Sequence, residues 1–228
     1  MLQQKNNKIY FYLFCFFILS TIMNQGLLLF FKNNFLLKKI EINTNSSLIK
    51  NQIRLNTEYM INNNIFFLDE NKILKKLDNL NFLENIKIQK NYPATLKITA
   101  NKTKLLAVTY LDQKKYFIGN NEKFISAMQL NNNYELPIIF GQFLISDFLK
   151  LRKTLSKNNI DQDKIIKYYF HKNKRWDLYF KNNIVIKLPN KSIIKAIKLY
   201  KNFIDNNEIK PNSIIDLRVN NRLILSNG

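Results

Sequence analysis

The stretch NFLENIKIQKNYPATLKITANK, residues 81–102, decides the fold of the first half of this chain. Two alternating runs flank a tyrosine-proline pair. Ile86 and Ile88 share one side of the first run, and Leu96, Ile98 and Ala100 share one side of the second. Alternation with a period of two predicts a half-buried strand in each run. Pro93 has no N–H to give to a ladder, so it suits the joint between strands, and it holds Tyr92 extended. The stretch reads as a hairpin whose apolar sides, Ile86/Ile88 and Leu96/Ile98, can face helices.

The residues upstream supply those helices. LLKKIEIN (residues 36–43) alternates through Leu37, Ile40 and Ile42 as a strand. TNSSLIKNQIRL offers Ser46 or Ser47 as an N-cap, with Ile49 and Ile53 four apart on one helical face. Three asparagines at 62–64 suit a turn. Asp69 caps a second helix, DENKILKKLDNL, whose Ile73, Leu77 and Leu80 form an apolar stripe with Leu74 beside it. The order is β-α-α-β-β over residues 35–103.

Before this unit, residues 9–31 run for 23 positions without a charge, broken only by the amides of Asn24 and Gln25. As a single helix they would reach roughly 34 Å, against the ~30 Å of a hydrocarbon core. The first alanine of the chain is Ala94, so the run lacks an A-x-A cleavage site, and a retained anchor is expected over a cleaved signal peptide. Lysines flank both ends: Lys5 and Lys8 before, Lys32, Lys38 and Lys39 after. Charge does not orient the span. Size favours a short inner tail, residues 1–8, with the bulk outside.

Residues 104–228 read mostly as strands: LLAVTYL, a turn at Gly119, Asn120 and Asn121, ELPIIFG, KIIKYYF, RWDLYF and NIVIKLP. In RWDLYF, Trp176, Leu178 and Phe180 alternate with Asp177 and Tyr179. Ser146 is placed to cap a helix carrying Phe148, Leu151 and Leu155. A second helix, from about Ser192 to Asp205, carries Ile193, Ile197, Tyr200 and Ile204. SIIDLRVNNRLILSNG closes as a strand, an Asn-Asn turn and a short strand.

Composition narrows the function. Net charge is +20, but five of 36 basic residues are arginine, the better phosphate fork, and lysines are scattered among 36 asparagines. That points to a solvated basic surface and away from nucleic acid. Cys15 is the sole cysteine and His171 the sole histidine, so neither a disulfide framework nor a metal set is expected. There is no G-x-S-x-G elbow and no glycine-rich phosphate loop; Asp161 and Asp163 lie in a polar turn. No catalytic, cofactor or metal site is expected, and the protein reads as a non-enzyme.

Five segments in register behind one apolar run resemble the FtsQ (DivIB) family of bacterial cell-division proteins: NIFFLDENKILKKLDNLNFLENIKIQKNYPATLKI, its NYPATLKI joint, ELPIIFG, RWDLYFKNNIVIKLP and IIDLR. Lys102 and Leu105 stand where the family commonly has Glu and Pro, and Asn182-Asn183 where an Asn-Gly type turn is usual. The resemblance implies an α+β protein with one N-terminal transmembrane helix (9–31), a POTRA-type domain (35–103) and a β-rich domain with flanking helices (104–228). It implies a divisome scaffold in the bacterial inner membrane, N-terminus cytoplasmic and bulk periplasmic, concentrated at the septum. Such a scaffold links early and late division proteins and helps control septal peptidoglycan synthesis. Implied partners are the FtsB–FtsL coiled-coil pair, with FtsK, FtsW and the septal penicillin-binding protein as further divisome contacts. By position, docking by strand addition falls on Val219, Asn220, Asn221, Arg222, Leu223 and Ile224. Arg175 and Arg218 stand nearby, either to pair with partner carboxylates or as plain surface charge. The competing reading is another POTRA-bearing membrane protein, acting in polypeptide transport or outer-membrane assembly. It would usually bring repeated units or a barrel, and the chain has one unit and no internal repeat.

Overall fold

The structure, a computed structural model, describes residues 3–22, 25–130 and 134–227. It divides into two compact units, Met1–Lys102 and Thr103–Gly228.

The first unit begins with helices α1 (Gln3–Ile22) and α2 (Gln25–Asn34). The expected single helix over residues 9–31 includes positions 23–24, Asn24 among them, which lie outside the described residues. The expected tail, too, is helical from Gln3. Among the described residues no helix is long and apolar enough to cross a membrane. The reason is composition. The first positions of α1 are polar and include Lys5 and Lys8.

Strand β1 (Lys39–Asn43), helices α3 (Ser47–Thr57) and α4 (Glu70–Asp78), and strands β2 (Leu83–Asn91) and β3 (Thr95–Lys102) follow in the β-α-α-β-β order. The sheet order is β1-β3-β2, with β1 parallel and β2 antiparallel to β3. Pro93 sits in the joint, as its missing donor requires. Central β3 buries Leu96, Ile98 and Ala100 completely. Ile86 and Ile88 are only half-buried, because β2 is an edge strand and a register shift between Glu84 and Lys87 interrupts its pleat. Ile49 and Ile53 of α3 and Ile73 and Leu77 of α4 complete the core. Asp69 caps α4, accepting from the amides of Asn71 and Lys72 at 2.9 and 3.3 Å. Ser46 is the N-cap residue of α3, although its hydroxyl makes no capping bond. Leu80 lies beyond the last turn of α4.

The second unit is one nine-stranded sheet among the described residues, with helices α5 (Ile145–Lys157) and α6 (Ile193–Asn206). Its strands are β4 (Leu105–Leu111), β5 (Lys114–Gly119), β6 (Phe124–Ser126), β7 (Ile138–Phe140), β8 (Ile165–Phe170), β9 (Trp176–Phe180), β10 (Val185–Lys187), β11 (Ser213–Asp216) and β12 (Ile224–Asn227). The order is β12-β11-β10-β9-β8-β7-β4-β5-β6. Parallel neighbours need a crossover: α5 links β7 to β8, α6 links β10 to β11, and the connection from β4 to its parallel neighbour β7 runs through β5 and β6. Both helices contribute to one core, through Phe148, Leu151 and Leu155 from α5 and Ala196, Ile197 and Tyr200 from α6. Trp176, Leu178 and Phe180 of β9 face that core, as their alternation predicts. Helix α5 starts one residue before Ser146, with Leu144 as its N-cap residue and no side-chain cap. Ser192 stands at the N-cap of α6 in a left-handed conformation.

Candidate functional site

Strand β12 is the last strand of the sheet order. It pairs with β11 on one side only, Ile224 opposite Asp216, Leu225 opposite Ile215 and Ser226 opposite Ile214. Among the described residues no strand covers its other side, so this is an open edge. The residues expected to dock a partner are distributed around it. Ile224 opens the strand. Val219, Asn220 and Asn221 form the turn that precedes it, with the Arg222 amide returning to the Val219 carbonyl at 3.2 Å. Asn221 takes φ of +56°, a conformation asparagine tolerates. Leu223 packs on the sheet core, so it supports the edge from beneath.

The register places a row of side chains across six strands. Phe140 on β7 pairs with Tyr169 on β8, Tyr169 with Asp177 on β9, Asp177 with Lys187 on β10, Lys187 with Asp216 on β11, and Asp216 with Ile224 on β12. The adjacent row, Ile139, Tyr168, Leu178, Ile186 and Ile215, is buried in the helix-covered core. Side chains alternate across a sheet, so the Phe140-to-Ile224 row occupies the opposite face. Its centre carries alternating charge: aspartate, lysine, aspartate.

Both candidate arginines are tied to that row. Arg218 forks onto Asp216, with Nε 2.8 Å from each carboxylate oxygen and a terminal guanidinium nitrogen also donating to Oδ2. The fork holds the Asp216 carboxyl below the usual carboxylate range and raises the guanidinium in turn. Arg175 sits at the β8–β9 turn, its Nε 3.8 Å from Asp177 Oδ1. Asp177 is 3% exposed, and its other oxygen lies 2.7 Å from Nε2 of His171. His171 is thus held by a carboxylate in the middle of the row. Among the described residues no group of three or more potential metal ligands occurs.

Beside the edge, a hollow of about 390 Å³ opens between the start of α6 and the β11–β12 turn. Lys195, Leu199, Leu217, Arg218 and Val219 are among its lining residues. The lining mixes apolar side chains with Asn220, Asn221 and the basic Lys195 and Arg218. Sequence reading found the turn, the strand and both arginines. It passed over Lys187, Asp216 and Tyr169, whose signal was their place on the face that alternates with the core.

Two family models match the chain. One is the FtsQ-type POTRA domain, over residues 35–101; the other is the C-terminal region of cell division protein FtsQ/DivIB, over residues 107–218. Among curated relatives, the cell division protein FtsQ of Rhizobium meliloti (strain 1021) is 20% identical over 157 residues, covering 68% of this chain and 51% of that protein. FtsQ of Rhizobium radiobacter is 24% identical over 132 residues, covering 58% and 63%. The chain spans about half the length of the curated relatives it matches. The major extracytoplasmic domain of the trans isomer of DivIB from Geobacillus stearothermophilus superposes with a TM-score of 0.33 and 9% identity, over 47% of this chain and 98% of that one.

Proposed function

This chain belongs to the FtsQ/DivIB family of cell-division proteins, and we propose that it acts there as a non-catalytic scaffold, docking a partner strand on the open edge of β12. The observation that carries this reading is the unpaired side of β12 at the end of the sheet order. Such an edge presents free N–H and C=O groups, and an extended segment can complete them by strand addition. The row behind it supplies register. A partner strand beside Ile224 would lie next in line to Asp216 and Lys187, and the hollow at Lys195 and Leu199 would take a side chain from it.

The partner in this reading is the outer segment of an FtsB–FtsL-like pair, through which the scaffold would link early and late division proteins and influence septal wall synthesis. The uncharged run of residues 9–31 is read as a retained anchor, with the bulk of the chain on the outer side. Reporter fusions after Gly228 test the topology: a fusion active only in the cytoplasm reverses it, and a mature N-terminus near residue 27 shows cleavage.

Ile224→Pro tests the docking. It kinks the strand while sparing Leu223, which the core uses. Titration with the partner's outer segment should show a sharp loss of binding with near-native stability of the second unit. Undiminished binding would move the interface elsewhere.

A further inference from the structure

The first unit carries an exposed aromatic group that neither its core nor the β12 edge uses. Phe66 and Phe67 form the tip of the 62–68 loop, and Tyr92 belongs to the hairpin joint. Phe67 is 77% exposed, Tyr92 54% and Phe66 44%. Phe66 stacks on Tyr92 at 4.7 Å between ring centroids and meets Phe35 edge-on at 4.9 Å; Phe35 stacks on Phe31 at 5.5 Å. The rings form one continuous path from the end of the uncharged run to the hairpin.

The loop is fixed to the segment that leaves that run. The Ile65 amide donates to the Phe35 carbonyl at 2.9 Å, Leu37 to Asn63 at 2.8 Å and Asn62 to Leu37 at 2.9 Å. The Asn64 side chain donates to the Phe31 carbonyl at 2.7 Å and accepts from the Phe66 amide at 2.9 Å. Lys90 holds the far side of the loop, donating to the Leu68 carbonyl at 2.7 Å. Six hydrogen bonds thus hold two exposed phenylalanines beside the last turn of α2. Lys32 and Lys38, both exposed, bracket the same segment.

We propose that Phe66, Phe67 and Tyr92 are a membrane-seating foot, inserted in the headgroup layer of the bilayer that receives the upstream apolar run, with Lys32 and Lys38 on anionic lipid. The inference rests on the anchor reading given above. Tyr92 pairs an apolar ring with a polar hydroxyl and so favours the boundary between hydrocarbon and water, where exposed phenylalanines also bury apolar surface. Lysines beside them gain from anionic headgroups. A foot of this kind would fix the first unit's approach to the lipid surface, instead of leaving it to swing on a linker.

The native Cys15 and one added cysteine test the foot and the anchor separately. The full chain is placed in nanodiscs containing phosphatidylglycerol, with a nitroxide on Cys15. A second sample carries Cys15→Ser and Phe67→Cys, labelled at the new site. Accessibility to oxygen and to a water-soluble nickel chelate reports depth. The foot predicts a Cys15 label reached by oxygen and not by nickel, and a Phe67→Cys label that loses nickel accessibility and gains oxygen, at interfacial depth. A deep Cys15 label with a fully aqueous Phe67→Cys label overturns the foot and leaves the anchor intact. Two aqueous labels overturn both. Dipolar broadening between Phe67→Cys labels assigns the patch to a second copy of the chain and also overturns the foot.

Discussion

Gly141→Ala should unfold the second unit at markedly lower urea than the native chain, and the cost follows from geometry. Gly141 follows β7 with φ of +98°, and a Cβ there would lie 2.0 Å from the Phe170 carbonyl oxygen. Forcing an L-residue into the left-handed region costs about 1–2 kcal/mol. The overlap is with backbone of the neighbouring strand, so β7 and β8 must separate, a strain of about 1–3 kcal/mol in a packed interior. Together these give about 3 kcal/mol. With a slope of about 1–3 kcal/mol per molar urea, the midpoint falls by roughly 1–3 M. Trp176, the only tryptophan, is buried in this unit, so its fluorescence follows the unit directly. Gly119→Ala is the control. A Cβ at Gly119 would also meet close atoms, but these are side chains, Asn121 Oδ1 at 2.3 Å and Thr103 Cγ2 at 2.9 Å, and the backbone there is not left-handed. It should cost less. A Gly141→Ala stability within about 0.5 kcal/mol of native, the scatter of an ordinary surface change, or a larger cost at Gly119, would refute the strand geometry around β7.

Leu77→Ala, which empties a fully buried position on α4, should destabilise the first unit by about 2–5 kcal/mol, read as faster amide exchange at Leu96 and Ile98. Exchange accelerated less than threefold would mean that α4 does not pack on the hairpin. Burial pushes the Tyr168 and Tyr200 phenols up to about 12, against the partial opposing pull of Arg152 on Tyr168. Folded phenols then hold their protons more tightly than unfolded ones, which titrate near about 10, so their stability contribution is complete below that pH and lost between about 10 and 12. Tyrosinate absorbance should therefore show a late phase that coincides with the loss of Trp176 burial, and simple early ionisation of all eleven tyrosines would contradict it. Asp216→Asn should release Arg218 from its fork and make binding of an acidic partner segment more salt-sensitive.

Local patterns carried much of this fold. Alternation and one proline gave the hairpin; Asp69 with Ile73 and Leu77 gave α4. These are short-range signals, read within a few residues of their cause. Burial depth was less legible, because Ile88 and Ile98 have the same alternation while one sits on an edge and the other at the centre of three strands. The span over residues 9–31 reads as one helix because charge is absent, whereas α1 begins at Gln3 and spends its opening turns on polar residues. The proposed docking edge was legible as local elements and not as an arrangement. The Asn220-Asn221 turn and a short strand after it could both be read, and only Ile224 of the stretch from Val219 to Ile224 belongs to β12. The Phe140-to-Ile224 row draws on residues far apart in sequence, and periodicity assigns each to a face without naming its neighbour. Arg175 and Arg218 showed the same limit: their internal carboxylate partners exist only once the strands are in register.

Amide hydrogen exchange on the native chain, with and without the partner's outer segment, tests the docking edge most directly, since it needs no substitution. Strand addition predicts that exchange slows at Leu225 and Ser226 of β12 on binding, while β6, at the opposite edge of the same sheet, is unchanged. Binding that protects β6 or the first unit and leaves β12 exchanging as before would contradict it.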